Sequence, residues 1–181
     1  MFAWVSSQLT RLLDCRSVIH LVQNWHQGIR VYVAQPCLGV IAKHVQGETG
    51  EEGGLLIGRA YAVEAADRPL ILIEAALPSL DYRNSAISLE MSPEVWGRAD
   101  AALEAGRLIV GWYHSHPNLG AFFSSIDRAT QAAFFNHAYS AGVVIDLGRA
   151  ELKIFLGSDS AEYSDPVVGL QLEVAWAQSP R

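Results

Sequence analysis

The sequence predicts an α+β fold, a mixed β-sheet flanked by helices, and three observations carry that expectation. Short apolar runs of strand composition, among them GLLIGRAYAV, PLILIEAAL, RLIVGWY and AGVVIDL, alternate with polar breaks. Apolar residues at helical spacing occur in a few separate stretches between them. No internal repeat or low-complexity tract interrupts the pattern, which leaves one layered unit of sheet and helices.

The elements follow in order. Phe2, Val5, Leu9, Leu12 and Leu13 recur at helical spacing and predict an amphipathic opening helix. SVIHLVQ and IRVYVAQ, separated by turn-forming residues 24–28, predict a hairpin. Pro36 suits the first turn of a short helix that buries Leu38, Ile41 and Val45 and stops at Gly47. GLLIGRAYAV, PLILIEAAL and NSAISLEM are expected to be neighbouring strands of one sheet.

Ser92-Pro93-Glu94 predicts a helix start, with a capping serine, proline at the first helical position and an acid near the positive end of the dipole. Val95, Ala99, Ala102 and Leu103 form its expected buried face, and Gly106 closes it. The helix feeds RLIVGWY, a buried strand. A further helix is expected from about Ser125 to His137, then a hairpin around Gly148 and a last strand in VVGLQLEVAW.

Bulk properties bound the function. The 181 residues, half of them hydrophobic and 18% charged, suffice for one domain spanning 1–181 with its own core. A net charge of -6 offers no field for phosphate backbones, so nucleic acid is not an expected partner. Cys15 and Cys37 are too few for a disulfide framework and are expected to be reduced and structural. The start MFAWVSSQLTRLLDC lacks the features of a secretory signal, and no apolar run reaches membrane-spanning length, so a cytoplasmic protein without membrane association is expected.

The chemistry is concentrated in one segment, His114-Ser115-His116-Pro117, followed by Ser124 and Asp127. Two histidines at i and i+2 on a strand project to the same face and can reach one ion. Pro117 cannot continue the ladder, so the pair is expected at the end of the sheet. Asp127 falls on the first turn of the next helix, where a carboxylate is favoured and can be aimed back at the histidines. Two His and one Asp leave a fourth tetrahedral position for water, the pattern of a catalytic zinc site with one ion per chain. Taken alone, Ser124 and Asp127 also satisfy the Ser-x-x-acid pattern of a helix capping box.

This spacing, His-x-His-Pro-x6-Ser-x-x-Asp, resembles the JAMM signature of the MPN/JAB (JAB, Mov34/MPN/PAD-1) zinc metallopeptidases. The resemblance covers about residues 30 to 160, with the N-terminal helix and hairpin as an extension. It implies a cytidine-deaminase-like mixed sheet flanked by helices. It also implies a glutamate just before a Gly-rich strand, acting as general base. Aligning on Gly54, Leu55 and Gly58 gives that role to Glu51, with Glu52 on the opposite face by strand alternation and Glu48 more distant. By analogy Ser124 donates to the developing oxyanion, and Ser115 braces the loop. One departure from the family pattern is Phe123, where many members carry proline.

The implied reaction is hydrolysis after the C-terminal tail of a ubiquitin-like protein, as precursor processing or deconjugation. The tail is expected to add as a strand along residues 77–89, with Tyr82 and Ile87 in contact. The compact build resembles stand-alone bacterial members associated with ubiquitin-like conjugation and antiphage operons, so activating and conjugating enzymes are implied partners. Two other readings stay open: release of an amino acid such as cysteine from a sulfur-carrier protein, and a non-catalytic MPN scaffold that binds ubiquitin-like folds.

Overall fold

A computed structural model describes residues 28, 30–46, 50–61, 69–85, 88–104, 107–164 and 166–170. The opening helix and the strand expected at 17–23 lie outside these residues. Both edges of the next strand, β1 (Val31–Ala34), are occupied in parallel by β3 (Leu70–Pro78) and β10 (Val167–Leu170). Of the expected hairpin, only the second strand falls within the described residues.

The chain passes directly from β1 into α1 (Gln35–His44), where Pro36 sits in the first turn and Cys37 and Ile41 are buried. Then come β2 (Gly53–Tyr61), antiparallel to β3, and the central strand β6 (Leu108–Ser115), antiparallel to β2. β7 (Ala141–Asp146) runs parallel to β6, and β8 (Glu151–Leu156) and β9 (Ala161–Tyr163) extend the sheet antiparallel. The result is an eight-stranded mixed sheet in the order β10-β1-β3-β2-β6-β7-β8-β9.

Strand parity sorts the core into two layers. Leu56, Tyr113, Val143 and Ile145 face α1, while Leu55, Ile57, Trp112 and Val144 face α2 (Pro93–Glu104) and the region of α3 (Ser125–Phe134). Each layer is a contiguous apolar cluster, so the sheet is buried on both faces around β6. Burial also pushes the Cys37 thiol up to about 12, consistent with a structural cysteine.

Several local expectations are corrected. The stretch read as one strand, NSAISLEM, contributes instead to a separate two-stranded hairpin of β4 (Arg83–Ser85) and β5 (Ser88–Glu90). Ser92 does not cap α2 through its side chain: its Oγ has no hydrogen-bond partner among the described residues, and its N–H is held by Ser79 Oγ at 2.8 Å. Leu103 is exposed rather than on the buried face. α3 ends at Phe134, short of His137.

One buried polar bridge locks α3 to the sheet. Gln131 accepts a hydrogen bond from Trp112 Nε1 at 2.7 Å and donates through Nε2 to the carbonyls of Ser140 and Gly157. Replacing it by a methionine of similar volume leaves the Trp112 N–H buried without a partner, at about 1–3 kcal/mol, while the carbonyls of Ser140 and Gly157 keep the backbone N–H groups of Gly157 and Ser160. We expect Gln131→Met to lose roughly 1–3 kcal/mol in urea unfolding; a loss under about 0.5 kcal/mol would show that the bridge is dispensable.

Candidate metal centre

His114 is the penultimate residue of β6, beside Val144 of β7, and the pairing runs past the strand's end, with His116 N–H donating to the Ile145 carbonyl at 2.9 Å. Pro117 then takes the chain out of the sheet, as its missing N–H requires. Both histidines and Asp127 are buried. His114 Nε2 lies 3.1 Å from His116 Nε2 and 3.3 Å from Asp127 Oδ1, and His116 Nε2 lies 3.8 Å from Asp127 Oδ2.

These spacings test whether a metal fits. Ligand atoms held about 2.0–2.1 Å from a tetrahedral ion lie about 3.3 Å apart, and one ligand atom from each of the three residues falls within 4.8 Å of the others. The group can hold a metal ion. The tautomer of one ligand is fixed as well: a carbonyl only accepts, so His116 Nδ1 carries the proton it donates to Gly120 O at 2.9 Å. Nε2 of the neutral ring is then left with its lone pair facing the site.

The capping box and the metal ligand are the same carboxylate. Asp127 Oδ2 accepts the Ser124 N–H at 2.7 Å, and the Asp127 N–H donates to Ser124 Oγ at 3.2 Å, while Oδ1 faces His114. The Ser124 hydroxyl proton is not used in this exchange. Burial would raise the Asp127 pKa, but hydrogen bonding and charge from His114, with the Ser124 bonds, bring it from 3.8 down to about 2.

The two glutamates at the start of β2 point apart. Glu51 Oε1 is 3.8 Å from His116 Nε2, with the side chain partly open to solvent. Glu52 Oε2 is 3.5 Å from His44 Nε2 on the reverse side, where His44 Nδ1 also meets Tyr113 Oη at 2.9 Å. Glu48 lies outside the described residues. Ser115 braces this junction rather than the loop, because its Oγ accepts the Glu52 N–H at 3.0 Å and its N–H donates to the Glu52 carbonyl at 2.8 Å.

Aromatic rings wall the site. Trp112 stacks on His114 with centroids 4.7 Å apart, Tyr82 stacks on the same imidazole at 6.3 Å, and the exposed Phe122 meets His116 edge-on at 4.7 Å. Tyr82 reaches this position because residue 53 is glycine; a Cβ there would meet the tyrosine ring at 2.4 Å. Phe123 is buried against Phe155 at 4.1 Å and so anchors the loop by packing. Ile87 lies outside the described residues. Leu77 belongs to β3 and pairs with Leu55, so the proposed edge narrows to the β4–β5 hairpin.

Residues 34–152 match the family model described as prokaryotic homologs of the JAB domain. The chain belongs to this family. Among curated JAB relatives, it is 31% identical over 125 residues to the Saccharomyces cerevisiae ubiquitin carboxyl-terminal hydrolase RPN11, covering 64% of this chain and 38% of that protein. It is 25% identical over 157 residues to COP9 signalosome complex subunit 5 of Eremothecium gossypii, covering 81% and 36%. The chain thus spans under two fifths of the length of these relatives. The solution structure of DSY2949 from Desulfitobacterium hafniense shares the fold, with a TM-score of 0.55, 24% identity, and coverage of 79% of this chain and 95% of that one. No helix among the described residues is long and apolar enough to cross a membrane.

Sequence reasoning missed the carboxylates of Asp146 and Glu151, which bind the loop after Pro117. An acid closing the apolar run AGVVID was the available signal. The pH behaviour of the metal-free protein follows from Asp127. Its folded pKa is depressed, so the stability it contributes is present above pH 4 and lost as pH falls toward 2. We expect acid unfolding of metal-free wild type to lose about 2 kcal/mol across that window, with Asp127→Asn flattening the profile; identical profiles would refute the assignment.

Proposed function

We propose that this JAB domain is a zinc peptidase that cleaves the amide bond following the C-terminal tail of a ubiquitin-like protein. The observation that carries the reading is the convergence of His114 Nε2, His116 Nε2 and an Asp127 carboxylate oxygen, with Glu51 3.8 Å from His116 on the side open to solvent. When bound, zinc supplies Lewis acidity, lowering the pKa of a water from about 15.7 to about 7, roughly 12 kcal/mol of easier deprotonation.

The chain's own residues do the rest. Glu51 takes a proton from the attacking water and delivers it to the leaving nitrogen as the carbon–nitrogen bond breaks, which balances the hydrolysis and is worth about 10² to 10⁴ in rate. Ser124 turns its unused hydroxyl proton to the oxygen of the tetrahedral intermediate, an interaction worth about 3–4 kcal/mol at comparable sites. Tyr82 borders the approach of the tail, which adds as a strand along the β4–β5 hairpin.

The ubiquitin-like substrate is supported by the likeness to the ubiquitin carboxyl-terminal hydrolase RPN11 and to the signalosome subunit. Stand-alone activity beside conjugating enzymes in antiphage operons belongs to the same proposal.

Zinc analysis combined with cleavage of ubiquitin-like fusions tests it. We expect about one zinc per chain. Glu51→Gln should keep the metal and lose turnover by about 10² to 10⁴, and His114→Ala or Asp127→Ala should lose the metal itself. Wild-type turnover in Glu51→Gln would remove Glu51 from the mechanism. No metal and no cleavage of any such fusion would overturn the reading in favour of a binding module.

A further inference from the structure

The loop that leaves β6 is held by two carboxylates that are not themselves among the candidate metal ligands. Asp146, the last residue of β7, is 1% exposed, and its Oδ2 accepts the Gly120 N–H at 2.7 Å. Its Oδ1 accepts the Arg149 N–H at 3.1 Å. Glu151 Oε2 accepts the Ala121 N–H at 2.9 Å, and its Oε1 pairs with Arg149 Nε at 3.2 Å.

These bonds flank a single residue. The peptide before Gly120 offers its N–H to Asp146, and the peptide after it offers its N–H to Glu151. The carbonyl of that second peptide is the acceptor for His116 Nδ1–H. A carboxylate, a peptide and an imidazole are thus in series: Glu151 Oε2, Ala121 N–H, Gly120 C=O, His116 Nδ1–H. Hydrogen bonds in series polarise one another, so the ionised end strengthens the acceptor that the histidine sees. Gly120 has φ +91, a conformation that favours glycine, and a Cβ there would lie 3.3 Å from Glu151 Oε2.

We infer that Asp146 and Glu151 are positioning residues for the metal ligand His116, acting through the two peptides that flank Gly120. Asp146 fixes the plane and height of the loop from a buried anchor; Glu151 sets the strength of the Gly120 carbonyl as an acceptor. Metal-binding histidines commonly give their second N–H to a carboxylate or a carbonyl, and loss of that partner typically costs 10- to 100-fold in metal affinity. Here the carboxylate is one peptide removed. Both groups are ionised at neutral pH. For Asp146, burial opposes this, but the N–H groups of Gly120, Arg149, Asn118 and Gly148 outweigh it; for Glu151, the Ala121 N–H is the main cause.

The inference rests on the reading that His114, His116 and Asp127 hold zinc, so wild-type zinc affinity is measured first by chelator competition; absence of binding there refutes that reading and not this one. With wild-type binding established, Asp146→Asn should weaken zinc roughly 10- to 100-fold and Glu151→Gln by a smaller factor. Glu74→Gln, which removes a buried carboxylate paired with Arg59 and Arg107 away from the site, should lower the melting temperature and leave zinc affinity unchanged. Unchanged affinity in both Asp146→Asn and Glu151→Gln overturns the inference, as does an equal loss in Glu74→Gln.

A measurement independent of variant folding uses nitrogen chemical shifts of the histidine rings in metal-free wild type. His116 should appear as the Nδ1–H tautomer with a slowly exchanging proton. A dominant Nε2–H tautomer overturns the proposal.

Discussion

The Asp127 carboxylate is the part on which the rest of the candidate metal centre depends, because its two oxygens serve two structures at once. Oδ2 completes the capping box with Ser124 and so defines where α3 begins and how its first turn is aimed. Oδ1 is thereby left facing His114. One turn further along the same helix, Gln131 ties α3 to Trp112 of β6, and Trp112 is the ring on which His114 stacks. The helix start, the ligand geometry and the wall behind the ligand are one connected unit. A shift of α3 that spared the cap would still displace the support of His114.

The capping-box and metal-ligand readings of the Ser124–Asp127 pair compete only if each residue is allowed one role. A carboxylate with two oxygens can satisfy an orphan N–H at a helix start and offer its second oxygen elsewhere at no added cost. The cap also prepays part of the ordering entropy that the site requires, since it fixes the carboxylate before any ion arrives. The same economy holds for Ser124, whose lone pair serves the cap and whose proton remains available.

Much of this was legible in the chain, for physical reasons that differ between elements. β2, β3, β6 and β7 carry apolar runs long enough to be buried on both faces, so composition alone located them. The ligand triad was readable because its spacing is local and proline marks where the strand stops. Parity decided Glu51 over Glu52, and the opposed partners His116 and His44 follow that alternation. Pairing was not legible. Nothing in IRVYVAQ states that β3 and β10, some 40 and 135 residues away, fill its edges. The split of NSAISLEM into a hairpin was equally hidden, since two three-residue strands leave no periodicity to read. Asp146 and Glu151 were missed because they act on backbone N–H groups, which every residue except proline possesses and which therefore leave no trace in residue identity.

The sheet itself explains why so much polar machinery can be buried around one strand without mutual interference. Successive residues of β6 face opposite layers, so His114 belongs to the ligand side while Tyr113 and its partner His44 belong to the α1 side. The junction between the two networks is the start of β2. There the Glu52 backbone is clamped in both directions by Ser115, the residue between the two histidines. That clamp fixes the phase of β2 relative to β6, and phase decides which of two adjacent glutamates faces the ligands. A one-residue slip would exchange Glu51 for Glu52 and turn His44's partner toward the metal. The pair of hydrogen bonds between Ser115 and Glu52 therefore acts on register, and the serine between the histidines matters for what it holds on the neighbouring strand.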